Sequence, residues 1–237
     1  MDIKFIKYIQ IPPPKCVKRL LGFTLSEVLL TLTILGVVIS LTVPTLLNNV
    51  QQNQENVAVW QADNMLSQAV EQLQANNGIV NVTSNTGLRS DLCSVLQCVR
   101  TDTTANIYSS ISNPFYYSYY KGSYWANNYA SDGSLGAILS NGMVLFDIYT
   151  YGNCNNGGVN ACASIPVDIN GPAQGPNMLG EDVYVFWVVL NNGVYSILPF
   201  GTANDTVAGP GRGQSCQVGN WACGCTYQRL YNPNNMP

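Results

Sequence analysis

From Val28 to Leu47 the chain runs for twenty residues without a charge. At about 1.5 Å rise per residue, a helix of that length matches the ~30 Å hydrocarbon core of a bilayer. No other stretch constrains the chain as much, because a spanning helix puts its N-terminal and C-terminal flanks on opposite sides of a membrane. One residue at its head stands out. Glu27 carries a carboxylate to the edge of the apolar run, and even lenient insertion scales assign about 2.5–3.5 kcal/mol to an Asp near the bilayer centre. That carboxylate requires an explanation.

The charges give the orientation. Five of the ten basic residues, Lys4, Lys7, Lys15, Lys18 and Arg19, precede Phe23, against Asp2 alone among the thirteen acidic ones. A basic segment before an apolar span stays cytoplasmic, so the acidic remainder is exported. That remainder carries only Arg89, Arg100, Lys121, Arg212 and Arg229, scattered along it, which argues against nucleic acid as a partner because phosphate contacts need clustered Lys and Arg. There is no histidine, so His-based acid/base catalysis and His metal ligation are excluded. With no nucleophile motif and no phosphate loop, the chain does not read as an enzyme. Of eight cysteines, Cys16 lies on the cytoplasmic side. Cys93, Cys98, Cys154, Cys162, Cys216, Cys223 and Cys225 fall in the exported part, where an oxidising compartment makes disulfides. Their spacing does not match paired CxxC zinc ligation. Seven is odd, which leaves one thiol over or pairs it between subunits.

Three readings compete for residues 1–47. A cleaved secretory signal has a shorter apolar core and a small-x-small site, and neither is present. A plain signal anchor fits the length and flanks but has no use for Glu27. The stretch Lys18-Arg19-Leu20-Leu21-Gly22-Phe23-Thr24-Leu25-Ser26-Glu27 closely resembles the prepilin processing site of type IV pilins and type II secretion pseudopilins. The resemblance rests on Gly22 before an aromatic Phe23, basic residues just upstream, Glu27 as fifth residue of the mature chain, and Pro44 late in the apolar run. It implies cutting after Gly22 by prepilin peptidase and N-methylation of Phe23. It also implies a register role for Glu27 opposite the Phe23 ammonium of its own or a neighbouring subunit. A charge pair in low dielectric is favourable only when both partners are well placed, so such a pair sets packing. The 22-residue leader, with Pro12-Pro13-Pro14, is longer than many in the family.

Val59, Ala62, Leu66, Ala69, Val70 and Leu73 continue at helical spacing with Gln and Asn on the opposite face, and Gly78 is a stop signal. One helix is expected from Phe23 to Asn76, loosened or kinked at Pro44, with its amphipathic second half laid on a sheet. Leu135–Ser140, Asn141-Gly142 and Met143–Tyr149 read as a hairpin, and Val183–Leu190, Asn191-Asn192-Gly193 and Val194–Leu198 as another. The expected fold class is α+β: a long N-terminal helix, transmembrane then amphipathic, packed on an antiparallel β-sheet, which resembles the pilin architecture. The parts are residues 1–22 as leader, 23–47 as spanning helix, 48–78 as amphipathic half, and 79–237 as globular domain. Between helix and sheet, Leu92 to Asp132 reads as a loop with Tyr108, Tyr116, Tyr117, Tyr119, Tyr120, Tyr124, Trp125 and Tyr129. It either covers the sheet edge or forms a binding surface.

Asp168, Asn170, Glu181 and Asp182, spaced by Gly and Pro, resemble a turn segment of pilin-like domains. Acidic turns of this kind can hold calcium, as major pseudopilins do, but no full EF-hand pattern is present and turn chemistry alone accounts for the composition. Many pilins staple the C-terminal region with a disulfide. Here Cys216 with Cys223 or Cys225 would do so, and Cys154 with Cys162 would close a similar loop. The resemblance thus implies a structural subunit of a type IV pilus-like filament. Alternatives are a type II secretion pseudopilin and a minor or tip pilin acting as an adhesive module. The implied partners are prepilin peptidase, other pilin or pseudopilin subunits, the inner-membrane assembly machinery and membrane lipid. The implied location is the inner membrane, single-pass with the C-terminal domain outside, and then a filament or the cell surface.

Overall fold

The structure is a computed structural model that describes residues 22–77, 80–109, 117–118, 124–125, 135–154, 160–201, 216, 225–233 and 236. Its elements in chain order are α1 (Leu25–Asn77), α2 (Asn85–Val95), β1 (Cys98–Thr103), α3 (Thr104–Tyr108), β2 (Tyr117–Ser118), β3 (Tyr124–Trp125), β4 (Leu135–Leu139), β5 (Val144–Leu145), β6 (Tyr149–Thr150), β7 (Ala161–Asp168), β8 (Val183–Asn191), β9 (Val194–Pro199) and α4 (Cys225–Tyr231). The chain divides into two compact units, residues 1–48 and 49–237.

In the first unit α1 is long and apolar enough to cross a membrane, and residues 22–47 are exposed throughout. The hydroxyls of this run all turn back onto their own helix. Thr31 donates to the Val28 carbonyl, Thr33 to Leu29, Ser40 to Val37, Thr42 to Val38 and Thr45 to Thr42, at 2.6–2.9 Å. In a bilayer lipid would supply no alternative partner, and polar groups would have to be satisfied within the segment. Pro44 lies inside α1 and does not end it. It removes one amide donor, the one that would have served the Ser40 carbonyl four residues earlier, while the helix continues to Asn77.

In the second unit, seven strands form one antiparallel sheet in the order β1-β4-β5-β7-β8-β9, with β6 also on β7. β8 is buried on both faces over Val183–Val189, and its side chains alternate between two layers. Tyr184, Phe186 and Val188 join Val59, Ala62, Leu66, Ala69, Val70 and Leu73 of α1 in one core. Val183, Val185, Trp187 and Val189 join Ile107, Tyr108, Phe146, Phe200 and Cys225 in the other. The apolar stripe of α1 therefore meets the sheet as its spacing requires. At the far end of that stripe Gln74 clasps the β8–β9 hairpin: its Oε1 accepts from the Tyr195 amide at 3.1 Å and its Nε2 donates to the Gly193 carbonyl at 3.1 Å. On edge strand β9, outward-facing amides recur every second residue. Gln74 occupies the one at Tyr195, and Pro199 has none, which blunts this edge against stray pairing.

Both Asn-Gly hairpins form, with Gly142 at φ +89° in one turn and Asn192 and Gly193 at φ +52° and +81° in the other. The sheet is larger than the four strands expected. The Met143–Tyr149 strand is broken: β5 ends at Leu145, Asp147 adopts φ +44°, and β6 resumes pairing with β7 one register step later. This bulge lies opposite Pro166, whose carbonyl accepts from the Phe146 amide at 3.1 Å. In an antiparallel strand the missing Pro166 donor falls on that same side, where the interrupted partner makes its loss tolerable. The segment read as a loop from Leu92 contains the end of α2, then β1 and α3. α2 is capped by Ser84, whose side chain accepts from the Gly87 amide. Among the tyrosines of that segment Tyr108 is buried. Tyr117, Tyr124 and Trp125 fall in the β2–β3 pair, and Tyr116, Tyr119, Tyr120 and Tyr129 lie outside the described residues.

Leu66 has no exposed surface between α1 and the sheet. Leu66→Ala is expected to lower the unfolding free energy by about 2–5 kcal/mol, read by chemical denaturation of the detergent-solubilised chain, whereas Val57→Ala on the exposed face changes it by less than about 0.5 kcal/mol.

Candidate functional site

The site that the sequence marks most strongly is the head of α1. Gly22 and Phe23 precede the helix, and Phe23 is 85% exposed, so the peptide bond between them is reachable. Thr24 is the cap: its carbonyl accepts the Val28 amide at 3.2 Å. Glu27 stands three residues on and closes a reciprocal pair with it. The Thr24 amide and hydroxyl both donate to Glu27 Oε2 at 2.9 Å, and the Glu27 amide donates to Thr24 Oγ1 at 3.3 Å. This is a capping box, which satisfies two first-turn donors that a helix otherwise leaves open and sets a carboxylate at the positive end of the helix dipole. Its signal in the sequence is Thr-x-x-Glu ahead of an apolar run, and the expectation of a helix starting at Phe23 overlooks it. Pro44 lies well down the same helix and takes no part in this constellation.

A second polar constellation ties α4 to the lower part of α1. Arg229 is buried, and its guanidinium donates to Glu55 Oε2 at 3.0 Å, Asn56 Oδ1 at 3.3 Å and Tyr184 Oη at 2.9 Å. Tyr184 in turn donates to the Glu181 carbonyl at 2.7 Å. Burial pushes the Glu55 carboxyl up, and the Arg229 charge pulls against that shift. Trp60 and Tyr231 meet edge to face at 5.9 Å beside this pair. Nothing in the spacing of Glu55 and Arg229 along the chain announces their contact.

The acidic turn residues Asp168 and Asp182 are drawn inward. Asp168 and Asp182 are essentially fully buried. Asp168 accepts from Tyr108 Oη at 2.8 Å and from the Gly171 and Asn170 amides at 2.8 and 3.2 Å. Asp182 accepts from the Met178 and Asn177 amides at 2.6 and 2.7 Å and from Asn170 Nδ2 at 3.4 Å. Together they fold the loop between β7 and β8 around themselves. Gly171, at φ +83°, is required there because a Cβ would lie 2.5 Å from the Gly142 carbonyl oxygen. Burial raises Asp168 to about 7, with the Tyr108 hydrogen bond opposing and the nearby Asp182 charge adding to it. Burial likewise raises Asp182 to about 6 against the Met178 and Asn177 amides. The Asn170 Oδ1 atom is buried with no hydrogen-bond partner. Glu181 contributes its main-chain carbonyl to Tyr184, and among the described residues no three His, Cys, Asp or Glu side chains gather as a metal centre.

Six described cysteines form three local disulfides, Cys93–Cys98, Cys154–Cys162 and Cys216–Cys225. Of the two partners open to Cys216, the structure selects Cys225, which α4 seats in the sheet core. Cys16 and Cys223 lie outside the described residues. Searches against protein-family models, curated proteins and solved structures found no match.

Two predictions test these buried charges. The raised carboxyls of Asp168 and Asp182 make the native domain bind protons where the unfolded chain has released them. Their contribution to stability is therefore full below the ordinary carboxylate range and is lost as pH rises through about 6 and about 7. Thermal unfolding is expected at lower temperature at pH 8 than at pH 5, and Asp168→Asn, which keeps an acceptor for the Gly171 amide, flattens that dependence. At the α4 contact, Arg229→Ala strands Glu55 in a partly buried position and is expected to cost about 3–5 kcal/mol. Arg229→Met paired with Glu55→Gln costs less than that single change in equilibrium denaturation.

Proposed function

We propose that the chain is a structural subunit of a type IV pilus-like filament, processed after Gly22 by prepilin peptidase and assembled through its N-terminal helix. The observation that carries this reading is the form of α1. Its first part is an exposed, uncharged run with every hydroxyl turned inward, headed by Phe23 and Glu27. Its second part supplies the core contact of a folded domain. Such a helix serves first as a membrane anchor and then as the packing element of a helical bundle, since lipid and neighbouring apolar helices are equivalent surroundings for it.

Glu27 fits a register role because its carboxylate is fixed at the end of the helix nearest the Phe23 amine that cleavage would free. The domain would lie outside the cytoplasm, where three disulfides persist. The residues forming the resemblance are shared by pilins and type II secretion pseudopilins, so the pseudopilin alternative makes the same demands on Gly22, Phe23 and Glu27. In either case the chemistry is done to this chain rather than by it.

The test is the intact mass and N-terminal sequence of the protein from membranes and from sheared surface material. A mature chain that begins at N-methyl-Phe23 and is present in the sheared fraction is the expected result. A chain that still begins at Met1 and stays in the membrane leaves a signal anchor and removes the filament. In the processed protein, Glu27→Gln is expected to abolish recovery in the sheared fraction while thermal unfolding of the domain is unchanged.

A further inference from the structure

Glu27 is held by one residue in particular. Thr24 offers its carboxylate two donors, the main-chain N–H and the side-chain O–H, and both converge on Oε2 at 2.9 Å. In return Thr24 Oγ1 accepts from the Glu27 amide, and it lies 3.0 Å from Ser26 Oγ. A glutamate side chain at the surface of a helix samples several rotamers. Here the two donations remove that freedom and fold the carboxylate back toward the start of the helix, with Oε1 taking neither bond. Among the described residues nothing else holds it, and Thr24, Leu25, Ser26, Glu27 and Val28 are all exposed. In hydrocarbon no water replaces the lost donor either.

We propose that Thr24 is the positioning residue for Glu27: its hydroxyl fixes the carboxylate so that Oε1 is presented to the ammonium of an incoming subunit. The inference rests on the filament reading above, in which Glu27 meets a Phe23 ammonium. It adds that the pairing group is the Thr24–Glu27 unit rather than the glutamate alone. One oxygen is used within the subunit and the other between subunits. The division follows from charge-assisted hydrogen bonds being the stronger ones and from the cost of an ion pair whose geometry is poor.

The experiment co-expresses a tagged variant with the untagged wild-type chain and measures the tagged fraction in sheared filaments relative to membranes. Thr24→Val keeps the shape and the main-chain donor and deletes the hydroxyl, whereas Thr24→Ser keeps the hydroxyl. The expected result is a fall of about tenfold in incorporation for Thr24→Val, the scale of one lost capping interaction, with Thr24→Ser close to wild type. Both variants should carry the mature Phe23 N-terminus. Thr24→Val incorporating like wild type overturns the proposal, as does a Thr24→Ser that fails as badly as Thr24→Val. A Thr24→Val chain that is lost because it is no longer cut also overturns it, since the defect is then in processing. A wild-type control that is never cut overturns the filament reading and takes this inference with it, an outcome told apart by that control alone.

Discussion

Burial of one helix stripe against one strand organises the domain. Val59, Ala62, Leu66, Ala69, Val70 and Leu73 of α1 share a core with Tyr184, Phe186 and Val188 of β8. Neither partner is stable alone. An amphipathic helix needs a surface for its apolar face, and a strand buried on both sides needs two layers to bury it. Once this contact is made, the remaining pieces have places to attach. Gln74 grips the β8–β9 turn at one end of the stripe, and Glu55 and Asn56 receive Arg229 of α4 at the other. The second layer, around Trp187 and Phe200 stacked at 4.6 Å, uses the alternate residues of the same strand.

Whether an element was legible in the sequence depends on how local its signal is. The stripe of α1 was readable because six apolar positions recur at helical spacing, and the two hairpins because Asn-Gly dictates a turn with positive φ. β7 was not readable. Ala161 to Asp168 is built of small residues with a proline near its end, and it lacks the alternation that marks a half-buried strand because both its faces are covered. Its proline is tolerated through a bulge in a different segment, a compensation that no local pattern displays. α4 is too short for periodicity to show, and its docking depends on a pairing between residues 55 and 229. The capping box is legible as Thr-x-x-Glu, but the same Glu27 is also a charge at the edge of a long apolar run, and that stronger signal hides its relation to Thr24 one turn earlier. In the acidic turn, carboxylates near Gly and Asn suit both a turn and a ligand site, so the sequence leaves the two open. The burial of Asp168 and Asp182 against main-chain amides is not displayed by any local pattern.

The carboxylates of this chain separate by the partner each has found. Burying a charge is unfavourable unless hydrogen bonds or an opposite charge replace the lost water. Asp168 and Asp182 find amides of their own loop, and Glu55 finds a guanidinium from the far end of the chain. These partners belong to the same folded unit. Glu27 differs in kind. Its partners sit in its own first turn, and its neighbours along the helix are exposed. It does not stabilise a core because it is not in one. A capping box explains why a helix can begin there, but any Ser, Asn or Asp cap in a basic-flanked segment would start a helix in an interfacial region. In a low-dielectric region a full carboxylate beside twenty uncharged residues would be favourable only with a well-placed cation. The cation nearest in the covalent structure is the amine that cutting after Gly22 would expose. On the proposed reading the charge at the head of α1 and a cleavage site before it would form one feature, and the helix would be joined by others of its kind.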